Sequence, residues 1–567
     1  MINTPRFWLI SSIVIALIMT TPIWVLVSFL FEPGNDNWQH LLDTLLPDYI
    51  SNSILLMIGV SIGTLLLGVP SAWLISHYDF IGRRWLHWAL LLPLAMPAYI
   101  SAYTYTGLLE FEGPVQSYLR ELYGFSASNW FPEIRSLEGA MILFSLVLYP
   151  YVYLLSRSGF GSQSQQALEV SRTLGAGPIE SFFKVALPMA RPAIIAGVTL
   201  ALMETLADFG AVQHFGVDTF TTGIYRTWSG FGDTTTAAQL SLVLLVFVAA
   251  LIIIERGSRK QQRYFSASNK SPSMSLIKLS ASKSWLAFSF CLFPIILGFA
   301  VPSGMLLFWS ITTADTNWNS DFFGLAWNSF TLAFITAIVT LSIAVFLAYA
   351  KRVTGSKNVK KSVTLAHLGY AIPGTVLAIA ILIPLAWLDK EINKFMAQYF
   401  DLSIGLLLSG TLFALVLAYS IRFLSVALQS VESGLQSIKP TIDDSAKTLG
   451  ASNWYILGKI HLPLMKTSLL TALILVFVEV LKELPTTLIL RPFNFDTLSI
   501  RAYEMASDER LADAGLPALL IVLTSLIPVI ILSKLMNQDL SVKKLNKPNV
   551  SLTVPTTIDV KKEATSA

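Results

Sequence analysis

Two stretches of the chain, LEVSRTLGA at 168–176 and IDDSAKTLGA at 442–451, carry one pattern 275 positions apart. In each copy an acid is followed six positions later by a glycine, and Leu-Pro stands twelve and thirteen positions beyond that glycine. The residues are Glu169, Gly175, Leu187 and Pro188 in the first copy, and Asp444, Gly450, Leu462 and Pro463 in the second. A pattern that recurs in one register predicts two halves of the same architecture.

Each copy is predicted to fold as a short helix, a turn and a second short helix. An acid at the start of a helix is favoured by the helix dipole, and glycine readily takes the left-handed conformation that ends a helix. The segments 179–185 and 454–460 follow as short amphipathic helices. The proline after each segment is expected to end it before the chain enters the membrane. The resulting projection is a shape that a peripheral partner could bind.

The composition excludes several classes of protein. Of 567 residues, 54% are apolar and only 13% are charged, with a mean hydropathy of +0.63. Because soluble domains carry about a quarter charged residues, a soluble enzyme and a disordered protein are excluded. The net charge of +4 is too small to indicate a nucleic-acid partner. A single cysteine, Cys291, excludes a disulfide framework and a cysteine-based metal site.

The apolar segments predict an all-α, polytopic membrane protein whose main partner is the lipid bilayer. A helix needs about 20 mostly apolar residues to cross the hydrocarbon core. Twelve such segments lie near 7–30, 52–76, 86–109, 139–156, 191–209, 237–254, 285–311, 328–350, 363–387, 404–421, 467–484 and 516–535.

The distribution of lysine and arginine predicts the orientation. With the N-terminus in the cytoplasm, thirty of the 39 basic residues fall on the cytoplasmic side, Arg422 among them, and eight fall outside. The remaining one, Lys482, lies within a segment. Because positive residues favour the cytoplasm, both termini are expected there.

The two halves repeat well beyond the two stretches. Asn52-Ser53 returns as Asn328-Ser329, and Met96-Pro97 returns as Ile372-Pro373. Each half has six segments, so both copies share one orientation and are related by an axis along the membrane normal. The expected organisation is a first half at 1–255, a basic cytoplasmic linker at 256–284, a second half at 285–535 and a cytoplasmic tail at 536–567.

The pattern resembles the EAA loop, Glu-Ala-Ala-x3-Gly-x9-Ile-x-Leu-Pro, of permeases in binding-protein-dependent ABC importers. It departs from that loop at Val170-Ser171, which replace the two alanines, and at Asp444-Ser445. ETLADFGAVQHFGVDTFTTGIY at 204–225 and KELPTTLILRPFNFDTL at 482–498 are similar to the ferric-iron branch of these permeases. Two loops on one chain look like a fused permease dimer.

The resemblance implies partners and a division of labour. It implies an ABC ATPase dimer, with one subunit on each loop, and a periplasmic binding protein that delivers ferric iron. The chain has no P-loop, because its only Gly-Lys, Gly458-Lys459, is followed by Ile460. ATP and magnesium are therefore expected on the partner ATPase, with no cofactor on this chain and no enzymatic activity of its own.

Five ionisable residues interrupt apolar segments: Glu204, Asp208, Glu479, Lys482 and Glu483. Charged groups within a bilayer are costly and should face the protein interior, a watery path or each other. Lys482 is three residues from Glu479, which is within reach of an ion pair on a helix. Two interpretations stay open. The acids line the passage and attract a cationic substrate, or they form structural ion pairs between helices; no metal ligand is identified.

Three rival functions remain. A secondary transporter driven by an ion gradient can also have twelve spans and parallel repeats, but it needs no paired docking loops. The same type of permease could carry thiamine, a polyamine or a phosphonate. An intramembrane enzyme is disfavoured because no catalytic constellation is visible.

Overall fold

The computed structural model describes residues 5–124, 131–161, 170–171, 173–175, 177–260 and 276–545. Within them the regular secondary structure is helical, apart from two short strands that pair with each other. The expected all-α architecture is confirmed. Glu169, the first acid of the repeated pattern, lies outside the described residues.

The first half begins with a long helix and ends with one that runs into the predicted linker. Its elements are α1 (Pro5–Ser28), α2 (Asp36–Thr44), α3 (Leu46–His77), β1 (Tyr78–Asp79), α4 (Arg83–Ala89), α5 (Ala98–Leu109), α6 (Pro114–Tyr123), α7 (Leu137–Gly161), α8 (Pro178–Ser181), α9 (Leu187–Ala207), α10 (Gly210–His214), α11 (Phe220–Phe231) and α12 (Thr234–Lys260).

The second half follows the same order, after a short strand. Its elements are β2 (Ile277–Lys278), α13 (Ala281–Ile295), α14 (Val301–Thr312), α15 (Ala314–Asn317), α16 (Ser320–Thr354), α17 (Lys357–Ala366), α18 (Gly374–Phe400), α19 (Leu412–Gln436), α20 (Pro440–Thr448), α21 (Asn453–Tyr455), α22 (Leu462–Leu464), α23 (Lys466–Leu481), α24 (Pro485–Leu490), α25 (Leu498–Ser507) and α26 (Gly515–Leu545).

All twelve predicted segments fall on helices. Eight are continuous helices long and apolar enough to cross a membrane, and three are helix pairs bent at a break. The last lies on the shorter apolar stretch Gly515–Ile531 of α26. The chain is therefore a polytopic membrane protein.

The predicted start of the tenth segment, at 404, is wrong, because α19 begins only at Leu412. The apolar run before it is a loop whose backbone is held by a buried carboxylate. Asp389 accepts hydrogen bonds from the amides of Leu407 and Leu408 at 3.1 and 2.9 Å and from that of Ser409 at 2.7 Å. These amides are satisfied without a helix, so an apolar run here does not lengthen the span.

Two spans are broken at corresponding X-Pro pairs. The chain bends by 90° between α4 and α5 at Met96-Pro97, and by 114° between α17 and α18 at Ile372-Pro373. Proline disfavours a helical conformation in the residue before it, and both Met96 and Ile372 are extended. Both X-Pro pairs contribute to the wall of one pocket.

The repeat is visible in the hydrogen bonds. The helices α7 and α19 both have 25 residues and lie 275 positions apart. The Asn52 side chain donates to the carbonyl of Asp218 at 3.0 Å, and Asn328 donates to that of Asp496 at 3.4 Å. The asparagines of the two Asn-Ser pairs thus hold corresponding turns.

The first span of each half packs on the other half. In α1, the buried Trp8 stacks on Phe346 of α16 with 5.1 Å between ring centroids, and lies 5.0 Å from Trp454. In α13, Cys291 is buried in a cluster with Tyr149 and Tyr153 of α7. This exchange buries apolar surface between the halves, so they form one body rather than two separable domains.

The segments between and after the halves are partly described. Tyr78 and Asp79 pair in parallel with Ile277 and Lys278, so the end of the predicted linker is attached to the first half. Residues 261–275 lie outside the described part. At the other end, α26 extends into the predicted tail as far as Leu545, and 546–567 lie outside the described part.

Candidate functional site

A cavity lies between the two halves, and both broken spans line it. Its wall includes Pro97 and Pro373 together with all five ionisable residues singled out in the sequence. About 140 Å³ of it is open to the centres of water molecules, which is room for several waters. A hydrated path through the protein interior is the environment that charged groups in a bilayer require.

Two of the four acids cap helices, in the same way in each half. Asp208 follows the end of α9 and accepts hydrogen bonds from the amides of Ala211 and Val212 in α10 at 2.9 and 3.2 Å. Glu483 follows the end of α23 and accepts from the amide of Thr486 at 3.1 Å and from its hydroxyl at 2.6 Å. Both carboxylates stabilise the helix that restarts after the break.

The other two acids lie four residues earlier and differ between the halves. Glu479 forms the expected ion pair with Lys482, with 2.9 Å between Nζ and Oε1. Its counterpart Glu204 accepts a hydrogen bond from the Tyr370 hydroxyl at 3.2 Å. The position that matches Lys482 in the first half is Ala207. The repeat therefore places a cation beside one acid and a methyl group near the other.

Arg422 is a cavity residue that the sequence analysis misplaced. It lies in the middle of α19, with its side chain 12% exposed and one guanidinium nitrogen 3.2 Å from Glu483. Counting it among the cytoplasmic cations was wrong, because α19 starts later and continues further than expected. The position that matches it in α7 is Val147, which also lines the cavity. The repeat could have revealed this, because an arginine at the position where the other half has an apolar valine indicates a charge inside the protein.

The cavity thus holds four acids and two cations. No group of three His, Cys, Asp or Glu side chains converges to hold a metal ion in the part of the chain that the structure describes.

We expect Glu479 and Lys482 to depend on each other. If they pair, the variant Glu479→Gln/Lys482→Met should lose less transport than the two single variants predict together, because each single change leaves a buried charge alone. Transport rates of the four proteins at equal abundance give the coupling. Losses that simply add would contradict the pair.

The predicted loops are built around left-handed glycines. Gly175 and Gly450 have φ of +87° and +82°, which confirms the expected helix ends. After α20, the amide of Gly450 donates to Lys447 O at 2.9 Å and that of Ala451 donates to Ala446 O at 3.0 Å. These are the two hydrogen bonds that define a Schellman motif. The leucine before each glycine is exposed, Leu174 by 82% and Leu449 by 88%.

The second short helix differs between the loops. After Gly450, α21 and α22 are followed by a bend of 79° into α23, as expected for a projection. After Gly175 no such bend occurs, because one helix runs from Ile179 to Ala207. The prediction that Leu187 and Pro188 end a helix is therefore wrong. A π-helical turn at Phe182–Ala186 precedes Pro188 and accommodates the missing amide donor.

An ion-pair network holds the second loop. Asp443 lies 2.7 Å from Arg352 Nε of α16 and 2.7 Å from Nε2 of His461, which is fully buried. Burial alone would raise the pKa of the Asp443 carboxyl, but the hydrogen bonds from Arg352 and His461 outweigh it and lower that pKa below 3.8. The patterned acid is its neighbour Asp444, which is exposed.

Two repeated helical halves that enclose a polar cavity define a multi-pass membrane transport protein. Its family can be stated more closely. The chain belongs to the family described as the binding-protein-dependent transport system inner membrane component, which matches residues 4–256 and 361–542.

Relatives of different lengths match the chain. A ferric-iron transport system permease protein, FbpB 2 of Haemophilus influenzae, is 29% identical over 94% of this chain and 98% of its own length. A ferric transport system permease protein FbpB of Actinobacillus pleuropneumoniae is 25% identical over 76% of this chain and 62% of its own. The molybdenum permease ModB of Haemophilus influenzae is 24% identical over 38% of this chain but 97% of its own length. A whole relative can therefore correspond to less than half of this chain.

Proposed function

We propose that the chain is the permease of an ATP-driven importer that moves ferric iron, delivered by a periplasmic binding protein, into the cytoplasm. ATP is hydrolysed by a separate ABC ATPase dimer that binds the two loops. Both termini and both loops face the cytoplasm, and the chain itself binds no nucleotide.

The paired glycine turns carry this proposal. Two exposed leucines at corresponding positions, each just before a left-handed glycine, offer a two-fold related pair of apolar contacts. A dimeric motor with two equivalent grooves requires such a pair, whereas an ion-driven transporter does not. The loops lie on the elements that lead directly into α9 and α23, whose far ends carry the cavity acids.

The charges of the cavity support a cationic cargo over an oxyanion. Both cations lie within ion-pair distance of acids, Arg422 of Glu483 and Lys482 of Glu479. An oxyanion would need such cations to be available, because it binds through charge-assisted hydrogen bonds. The names of the relatives that match most of the chain also favour ferric iron.

Iron uptake in the native host tests the proposal. Deleting the gene should remove uptake of radioactive ferric iron, and restoring it should recover uptake. Depleting ATP while keeping the ion gradient should stop that uptake, and collapsing the gradient at constant ATP should not. Uptake that follows the gradient would favour a secondary transporter, and normal iron uptake in the deletion strain would point to another cargo.

A further inference from the structure

We propose that Glu204 is the carboxylate that receives the cationic cargo in the cavity, and that Lys482 and Arg422 are built-in counter-ions for the other acids. The inference rests on the proposed function, because it assumes that a cation passes between the halves.

Three of the four cavity acids are already satisfied. Asp208 accepts two backbone amides, Glu479 pairs with Lys482, and Glu483 is shared between Arg422 and Thr486. Each would have to give up a strong interaction before it could bind a cargo ion. A buried carboxylate that loses its partner is costly, so these acids are poor acceptors.

Glu204 differs from its repeat partner in what surrounds it. Within the described residues, no Lys, Arg or His lies at ion-pair distance from its carboxylate, and its hydrogen-bond partner is the neutral Tyr370 hydroxyl. Tyr151, another phenol, lines the same cavity. A carboxylate beside phenols presents oxygen atoms alone, the ligand type that hard cations prefer.

The cavity also explains why the cargo would not stay. One carboxylate cannot hold an ion as a closed set of ligands does, and the wall contains Lys482 and Arg422 as well as the acids. A cation bound at Glu204 is therefore held by few contacts. Conduction requires binding that is strong enough to admit an ion and weak enough to let it go.

The repeat supplies the decisive variant. Ala207 lines the cavity three residues after Glu204, as Lys482 follows Glu479. Ala207→Lys should therefore place an ammonium on Glu204 and copy the Glu479–Lys482 pair. Ferric-iron uptake should fall by about tenfold or more, because the ammonium would neutralise the carboxylate that the cargo needs. Ala207→Met, which adds similar bulk without charge, should lower uptake much less.

A second pair of variants guards against a folding defect. Glu204→Gln should lower uptake as Ala207→Lys does, whereas Glu204→Asp, which keeps the charge, should retain most of it. Each protein is compared at equal membrane abundance and equal basal ATPase activity of the purified complex. If the Glu204 side chain only filled space between helices, the shorter aspartate would not be expected to retain uptake better than glutamine does.

The outcomes separate this inference from the proposed function. Equal losses in Ala207→Lys and Ala207→Met, or unchanged uptake in Glu204→Gln, would overturn the role of Glu204 while leaving iron as the cargo. Increased uptake in Ala207→Lys would overturn the cationic nature of the cargo. Absence of iron uptake by the unaltered protein would overturn the proposed function and this inference with it.

Discussion

Replacing Gly450 with valine should abolish most transport while leaving the chain inserted in the membrane at normal abundance. Gly450 has φ of +82°, a conformation that β-branched residues rarely adopt. Forcing it costs about 1–3 kcal/mol, which the short helix α20 can avoid by unwinding its last turn. Leu449, which precedes the glycine and is 88% exposed, would then lose its fixed position. Uptake rate and ATPase activity of the purified complex are the measurements.

Gly458 offers a matched control in the same loop. At both glycines a Cβ atom would meet open space, but only Gly450 has a positive φ. Gly458→Val should therefore leave transport nearly normal, and Gly175→Val should behave like Gly450→Val because its φ is +87°. Equal losses at 450 and 458 would show that added bulk, rather than backbone conformation, is what the loop cannot tolerate.

The sequence predicted the features that depend on local chemistry. The left-handed glycines, the Glu479–Lys482 pair and the twelve helical segments, apart from the start of the tenth, follow from spacing and composition, because a helix end or an i,i+3 pair involves neighbouring residues. The repeat related Met96-Pro97 to Ile372-Pro373, but that both spans break at these pairs is seen only in the structure. Such predictions need no knowledge of how distant helices pack.

What the sequence did not predict depends on distant contacts. The predicted start of the tenth span was wrong because the Asp389 carboxylate accepts hydrogen bonds from backbone amides nearly twenty residues away. Arg422 was assigned to the cytoplasm because the predicted span ended just before it, whereas the helix continues to Gln436 and Arg422 pairs with the distant Glu483. The network around Asp443 was not predicted because it joins residues that are distant in the sequence. The repeated pattern singled out the neighbouring acid Asp444 instead.

The network on the second loop yields the other large effect. Asp443→Ala should lower transport by about tenfold or more while ATP hydrolysis continues, because the loop would move without carrying α16 and α23 with it. Removing one member of a partly buried ion network costs up to about 3 kcal/mol. Arg352 and His461 would both lose a carboxylate at 2.7 Å. The ratio of cargo moved to ATP hydrolysed is the quantity to measure.

The same network fixes how Asp443 responds to pH. Its pKa is lowered from 3.8 in the folded protein, so its stabilising contribution is complete above that value and is lost only as the pH falls through the lower folded pKa. The deficit of Asp443→Ala in thermal stability should therefore persist down to a pH of about 4.

His461→Ala supplies the partner variant for a double-mutant cycle. If the double variant transports no less than Asp443→Ala alone, the two residues act as one unit. Fully additive losses of transport would mean that the loop transmits motion by apolar packing instead. An unchanged ratio of cargo moved to ATP hydrolysed in Asp443→Ala would mean the same.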